Sequence, residues 1–193
     1  MARAGLSAER VTRAAAELAD EVGVENVTVS ALARRFGVKD ASLYSHLRNV
    51  HELRVRLAGL ALTELADRVA DALAGRSGKQ ALAAFTGAYR DYATEHPGRY
   101  AAGQLRLDAD APADSPAVAA AIRHSTLTRA VLRGYDVPES EHVHAVRFVH
   151  SAVHGFVSLE RSGGFDHSGE VAGSWARLLD VLDAALRSWP AGT

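Results

Sequence analysis

Hydrophobic residues recur at helical spacing along most of the chain, and no segment alternates with the period of two that marks a strand. Val11, Ala15, Leu18 and Val22 form a first stripe, opened by Ser7 and closed by Gly23. Within 28–53, TVSALARRFGVKDASLYSHLRNVHEL, Leu32, Ala33 and Phe36 share one face of a short helix. Thr28 stands at its N-cap, and Gly37 sits where a left-handed residue would end it. Leu43 and Leu47, four apart, anchor a second short helix whose other faces are polar. A long helix is expected over about 50–73, with Leu53, Leu57, Leu60, Ala61, Leu65 and Val69 inward, before the break from Gly75 to Gly78.

Beyond that break the pattern predicts five more helices. One spans about 79–95, with Leu82, Phe85, Tyr89 and Tyr92 as a stripe, and Pro97 opens a short one towards Leu105. A Pro/Asp/Ala loop is expected over 108–116, then a helix over about 116–135. The eighth, about 140–161, is apolar on two sides: Val143, Val146, Val149 and Val153, then Ala145, Phe148, Ala152 and Leu159. The ninth, about 170–189, carries Val171, Trp175, Leu178, Leu179, Leu182, Leu186 and Trp189. The fold class is therefore all-α with about nine helices. Three N-terminal helices over 1–50, with a helix-turn-helix pattern, are followed by a larger helical part over 51–193, a linking helix and a five-helix bundle. A helix apolar on two sides has to be covered on two. In a chain of 193 residues the expected second cover is another copy, with the last two helices of each protomer meeting across a two-fold axis.

Composition narrows the chemistry. There is no cysteine, so neither disulfides nor thiolate chemistry is available. No apolar run is long enough to span a bilayer, and Glu9, Arg10 and Arg13 interrupt any signal-peptide core, so residence in the cytoplasm is expected. Net charge is -1 and does not point to nucleic acid. Its distribution is slightly uneven: residues 1–56 hold nine Lys/Arg against seven Asp/Glu, the remainder 13 against 16. Arg34, Arg35, Lys39 and Arg48 gather around the helix-turn-helix, and residues 1–6 read as an arm containing Arg3.

Thr28, Leu32, Ala33, Phe36, Gly37, Val38, Leu43, Tyr44 and His46 together resemble the DNA-binding domain of the TetR family of bacterial transcriptional regulators. Val153-His154-Gly155-Phe156-Val157-Ser158-Leu159-Glu160, with Gly163-Gly164-Phe165 and His96-Pro97-Gly98-Arg99-Tyr100, resembles that family's subtype named for a Trp-His-Gly motif. Val153 stands where the motif has tryptophan.

The resemblance implies a homodimer that binds an inverted-repeat operator in double-stranded DNA, represses by occupying a promoter, and is released by a small-molecule effector. It implies phosphate contacts from Tyr44, His46 and Thr28, the last helped by helix-terminal amides, while packing of Tyr44 and pure capping by Thr28 remain open. Ser30 belongs to the same DNA-facing set, and Lys39, Asp40, Ser42 and Ser45 are the base-edge candidates. Three positions depart from the family pattern. Lys39 replaces a Ser/Thr cap, so Asp40 is a candidate cap; Val50 replaces a phosphate-binding lysine, so Arg48 or Arg54 is a candidate substitute; Ser45 is small.

Phe85, Tyr89, Tyr92, Tyr100, Phe148, His150 and His154 are candidate linings of a ligand cavity, or ordinary core. His150 and His154 also have an i, i+4 metal-ligand spacing, but no neighbouring carboxylate or cysteine completes a site; no metal or cofactor is expected. Gly155 reads as a place of close helix approach. There is no Gly-x-Ser-x-Gly elbow, P-loop or dinucleotide fingerprint, so catalysis is not expected. The alternative reading is a TetR-like helical protein without operator binding, acting through a small-molecule or protein partner.

Overall fold

The structure, a computed structural model, describes residues 5–105, 115–167 and 169–190. Arg3 and nearly all of the expected 108–116 loop lie outside the described residues. Among those described, the elements are all helical: α1 (Ala8–Val22), α2 (Val29–Phe36), α3 (Asp40–Leu43), α4 (Val50–Leu73), α5 (Gly78–Glu95), α6 (Pro97–Gly103), α7 (Pro116–Leu132), α8 (His142–Arg161) and α9 (Val171–Arg187). Single 3-10 turns occupy Val24–Asn26 and Glu139–Glu141. No described helix is long and apolar enough to cross a membrane. The chain divides into two compact units, one from the described parts of Met1–Glu64 and Glu95–Ile122, the other from those of Leu65–Thr94 and Arg123–Thr193. Both α4 and α7 run unbroken through the boundary.

In the first unit the predicted caps form. The Ser7 hydroxyl accepts the Arg10 amide at 3.2 Å and starts α1. The Thr28 hydroxyl accepts the Ala31 amide at 3.1 Å and starts α2. Gly37 ends α2 in the left-handed region at φ 67°, where a side chain would be strained, and the Val38 amide returns to the Ala33 carbonyl at 3.0 Å. Val11, Ala15, Leu18, Leu32, Leu43, Leu47, Leu53 and Leu57 then close a single core. Ala102 of α6 joins that core. A short helix from beyond α5 is therefore part of the N-terminal unit.

The α6–α1 seam is backbone on backbone. A Cβ added at Gly98 would fall inside the carbonyl of Ala19 and lie 2.5 Å from the Asp20 amide. Around this approach Asp20 is saturated: it accepts the Arg99 amide at 2.9 Å, pairs with Arg99 Nε at 3.0 Å and lies 3.3 Å from His96 Nδ1. The Arg99 fork continues to Glu64 of α4 at 3.2 Å.

In the second unit Leu82, Phe85, Leu132, Val149, Leu182 and Leu186 are fully buried. Arg90 of α5 makes a forked pair with Glu160 of α8, and its guanidinium lies 5.0 Å over the Trp175 ring of α9. Tyr135 donates to Asp183 at 2.8 Å and ties the turn after α7 to α9. Helix α8 buries Ala145, Val149, Val153 and Val157 along one line and leaves Val143, Phe148 and Leu159 exposed. The buried line takes Val149 and Val153 from one predicted side and Ala145 from the other, so neither predicted side is covered whole. Gly155 does not serve a close approach: a Cβ there would meet nothing within 4 Å.

The same substitution should therefore act with opposite signs at two glycines. Gly98→Ala should cost about 2–3 kcal/mol through overpacking against a backbone that cannot yield, lowering Tm by roughly 5–10 °C in calorimetry. Gly87→Ala, in the interior of α5 with open space around its Cβ, should gain about 1 kcal/mol and raise Tm by roughly 2–4 °C.

Candidate nucleic-acid interface and ring cluster

The polar face around α3 is built from short elements. Only Asp40–Leu43 is regular helix, shorter than the leucine spacing predicts, but the His46 and Leu47 amides both return to the Leu43 carbonyl, at 2.9 and 3.0 Å, and continue the coil. Leu43 and Leu47 are buried as expected. Lys39 occupies the N-cap position with no side-chain hydrogen bond, and its amine is exposed. Asp40 does not cap: its carboxylate accepts a short hydrogen bond from the Ser30 hydroxyl and ties the start of α3 to the start of α2. The Ser45 hydroxyl donates to the Ser42 carbonyl at 2.7 Å, while Ser42 is exposed. Tyr44 is 53% exposed, and His46 is half-buried.

Two arginines near this face differ sharply. Arg35 is committed to α1, with Glu17 at 2.9 Å and Glu21 at 2.8 Å. Arg48 is almost fully exposed, with its guanidinium 3.8 Å from Glu52. Its amide is fixed, donating to the Glu52 carboxylate at 2.7 Å, while the Glu52 amide donates to the Asn49 side chain at 2.8 Å and caps the start of α4. The Arg48 amide and then the Arg56 guanidinium hold the Glu52 carboxyl below its usual range. Val50 packs on the core beneath. Thr28, Ser30, Lys39, Asp40, Ser42, Tyr44, Ser45, His46 and Arg48 thus all belong to one unit, eight of them exposed and His46 half-buried. Hydroxyls, an amine, a guanidinium and the N-terminal amides of α2 are the donors that phosphate recognition uses.

The candidate cavity residues separate. Tyr100 lies on α6 in the first unit and is buried there. Tyr92 is buried in the second unit with the Arg68 guanidinium 5.7 Å over its ring. Phe148 is partly exposed, edge-on to Trp189 at 5.8 Å. His154 is exposed, its Nε2 3.4 Å from the Ser158 hydroxyl, so the two i, i+4 histidines lie in different environments. Among the described residues no group of three or more His, Asp and Glu side chains has metal-binding geometry.

Phe85, Tyr89 and His150 do meet, and they meet around a residue the sequence pattern did not single out, His124 of α7. Ring centroids are 4.9 Å apart for Phe85–Tyr89, 5.0 Å for Tyr89–His124, and 5.5 Å for both Tyr89–His150 and His124–His150. His150 Nε2 lies 3.0 Å from the Thr128 hydroxyl. The Tyr89 hydroxyl and both His124 nitrogens are buried with no hydrogen-bond partner among the described residues. Each such orphan costs about 1–3 kcal/mol. Burial, then the nearby His150, push the His124 imidazole down to about 4, so it is neutral at physiological pH; burial and His154 lower His150 as well. The available signal was His124 and Thr128 four apart on one helix face; what it lacked was any sign that this face turns inward.

The whole chain matches known proteins of one kind. Residues 11–55 match the family described as "Bacterial regulatory proteins, tetR family", and residues 82–182 match "Tetracyclin repressor-like, C-terminal domain". The uncharacterized HTH-type transcriptional regulator YobS of Bacillus subtilis is 30% identical over 191 residues, covering 98% of this chain and 94% of that protein. The crystal structure of a TetR variant from Acinetobacter baumannii in complex with minocycline superposes with TM-score 0.64 at 25% identity, over 96% of this chain and 97% of that one. BioQ with its natural double-stranded DNA operator shares the fold, with TM-score 0.65 at 23% identity over 93% and 99%. With its capped helix-turn-helix, its exposed donor face and a relative matching along nearly its full length, this chain belongs to the TetR family of bacterial regulatory proteins and is a DNA-binding transcriptional regulator.

Proposed function

We propose that the protein is a homodimeric repressor that occupies an inverted-repeat operator and is released by a small-molecule effector. The carrying observation is the exposed face around α3: Tyr44, Ser42, Lys39 and Arg48 all present donors to solvent from a head held by its own core. In this reading Tyr44, His46, Thr28 and Arg48 contact phosphates, with Arg48 replacing the lysine that the family has at Val50. Lys39 and Ser42 read base edges, while Asp40 sets the angle between α2 and α3 through Ser30. Domains divide in the same reading into a DNA-binding head over 1–50 and a ligand-binding and dimerisation part over 51–193, the latter of the Trp-His-Gly subtype with valine at the tryptophan position.

The dimer reading rests on the uncovered side of α8 and α9. Leu159 is 51% and Val181 57% exposed, with Phe148 on the same side of α8 as Leu159. Isologous pairing would cover all three in each protomer. An inverted repeat then follows from the two-fold axis, and an effector that changes the spacing of the two heads weakens binding.

Fluorescence anisotropy on DNA from upstream of the protein's own gene should show tight, salt-sensitive binding, absent on a random duplex. Tyr44→Phe/His46→Ala should weaken it roughly 10- to 100-fold. Equal binding of wild type and variant to both duplexes would overturn the operator reading. In sedimentation velocity the wild type should run as a dimer and Leu159→Glu/Val181→Glu as a folded monomer; a monomeric wild type would overturn the interface.

A further inference from the structure

Buried polar atoms in folded proteins almost always find partners, so several orphans in one place need a reason. Here the Tyr89 hydroxyl and both His124 nitrogens converge in a single ring cluster. Tyr89 is 5% exposed and His124 9%. We propose that the cluster of Phe85, Tyr89, His124, Thr128 and His150 is the recognition centre for an uncharged aromatic ligand bearing a hydroxyl or amide group, with Tyr89 and His124 supplying the discriminating hydrogen bonds. The proposal rests on the effector-responsive reading above and names the chemistry of its effector.

The donor set defines the ligand. A neutral imidazole offers one donor and one acceptor, and a phenol hydroxyl can act as either. A ligand that satisfies both residues must itself donate and accept, as a hydroxyl or amide does and a hydrocarbon does not. Charge is excluded by the surroundings. None of the five side chains is charged at neutral pH, His124 and His150 being kept neutral by burial. The adjacent Arg123 points its charge to Asp67 at the surface. A carboxylate or ammonium would be desolvated there without a counter-ion. The walls are rings set at tilted or edge-on angles, 47° for Phe85–Tyr89 and 88° for Tyr89–His150, the geometry in which a further aromatic ring packs well.

The rings already touch, so a ligand enters by parting the His124 segment of α7 from α5 and α8. Occupancy is thereby converted into helix movement. The Thr128–His150 hydrogen bond is the latch that closes the centre when it is empty.

The test is calorimetric titration of the full chain without DNA, using phenol and 2-naphthol against toluene, naphthalene and benzoate. One of the two hydroxylated probes should saturate at one site per protomer, bind at least about tenfold tighter than its hydrocarbon match, and leave benzoate without measurable binding. Tyr89→Phe and His124→Leu should each lower that affinity at least about tenfold. Both should also leave the Tm of the free protein unchanged or raised, because each removes an orphaned group; a purely structural role would instead lower it. The proposal is overturned if neither hydroxylated probe saturates, if toluene or naphthalene binds equally well, if benzoate binds best, or if both variants bind like wild type. Operator anisotropy on the same preparation keeps the two readings apart. Loss of probe binding with intact operator binding sinks only the ligand class, and the converse sinks only the operator reading.

Discussion

The first unit depends on one close approach, the backbone of α6 against the backbone of α1 at Gly98 and Ala19. Nothing but glycine fits there, and Asp20 then takes both the Arg99 amide and its guanidinium. Dispersion and hydrogen bonding at such a distance fall off steeply, so the seam is either fully made or lost. The seam therefore holds α6 on α1 in one permitted geometry, within the first unit.

The reading head has little charge to spend. Residues 1–56, which contain it, hold only two more basic than acidic side chains, and Arg35 is already bound to Glu17 and Glu21. Phosphate affinity has to come from a few well-placed donors and from pairing two heads in one complex, because a single small module covers a modest stretch of DNA. The rigidity of the head compensates. The Ser30–Asp40 hydrogen bond, the Arg35 clamp and the Asn49–Glu52 cap each fix a helix end before DNA arrives, so less ordering entropy is lost on binding.

Much of this was legible in the sequence because it is local. Ser7, Thr28, Gly37 and Pro97 mark helix ends through chemistry that acts over three or four residues, and the ends fall where they predict. The misses are non-local. Gly155 and Gly98 look alike in a sequence; only the position of another helix's backbone decides that the second is pressed on α1 and the first faces open space. Asp40 reads as a base-edge candidate or a cap of α3, and its bond to Ser30 appears only once α2 and α3 fold against each other. His124 sits among alanines, arginines and threonines with no feature to set it apart, and its burial is a property of α5 and α8 as much as of α7.

The contrast between Tyr135 and Tyr89 bears on what the second unit is for. Both are buried tyrosines. Tyr135 donates a hydrogen bond to Asp183, which Arg187 also engages, so its hydroxyl is satisfied within the fold. The Tyr89 hydroxyl, beside the His124 and His150 rings, has no hydrogen-bond partner among the described residues. A fold selected for stability alone would replace Tyr89 by phenylalanine and His124 by leucine at no loss of packing area and with a gain from removing orphaned atoms. Their presence together, on helices that otherwise bury apolar side chains with care, is what a site looks like when its remaining partner comes from outside the chain.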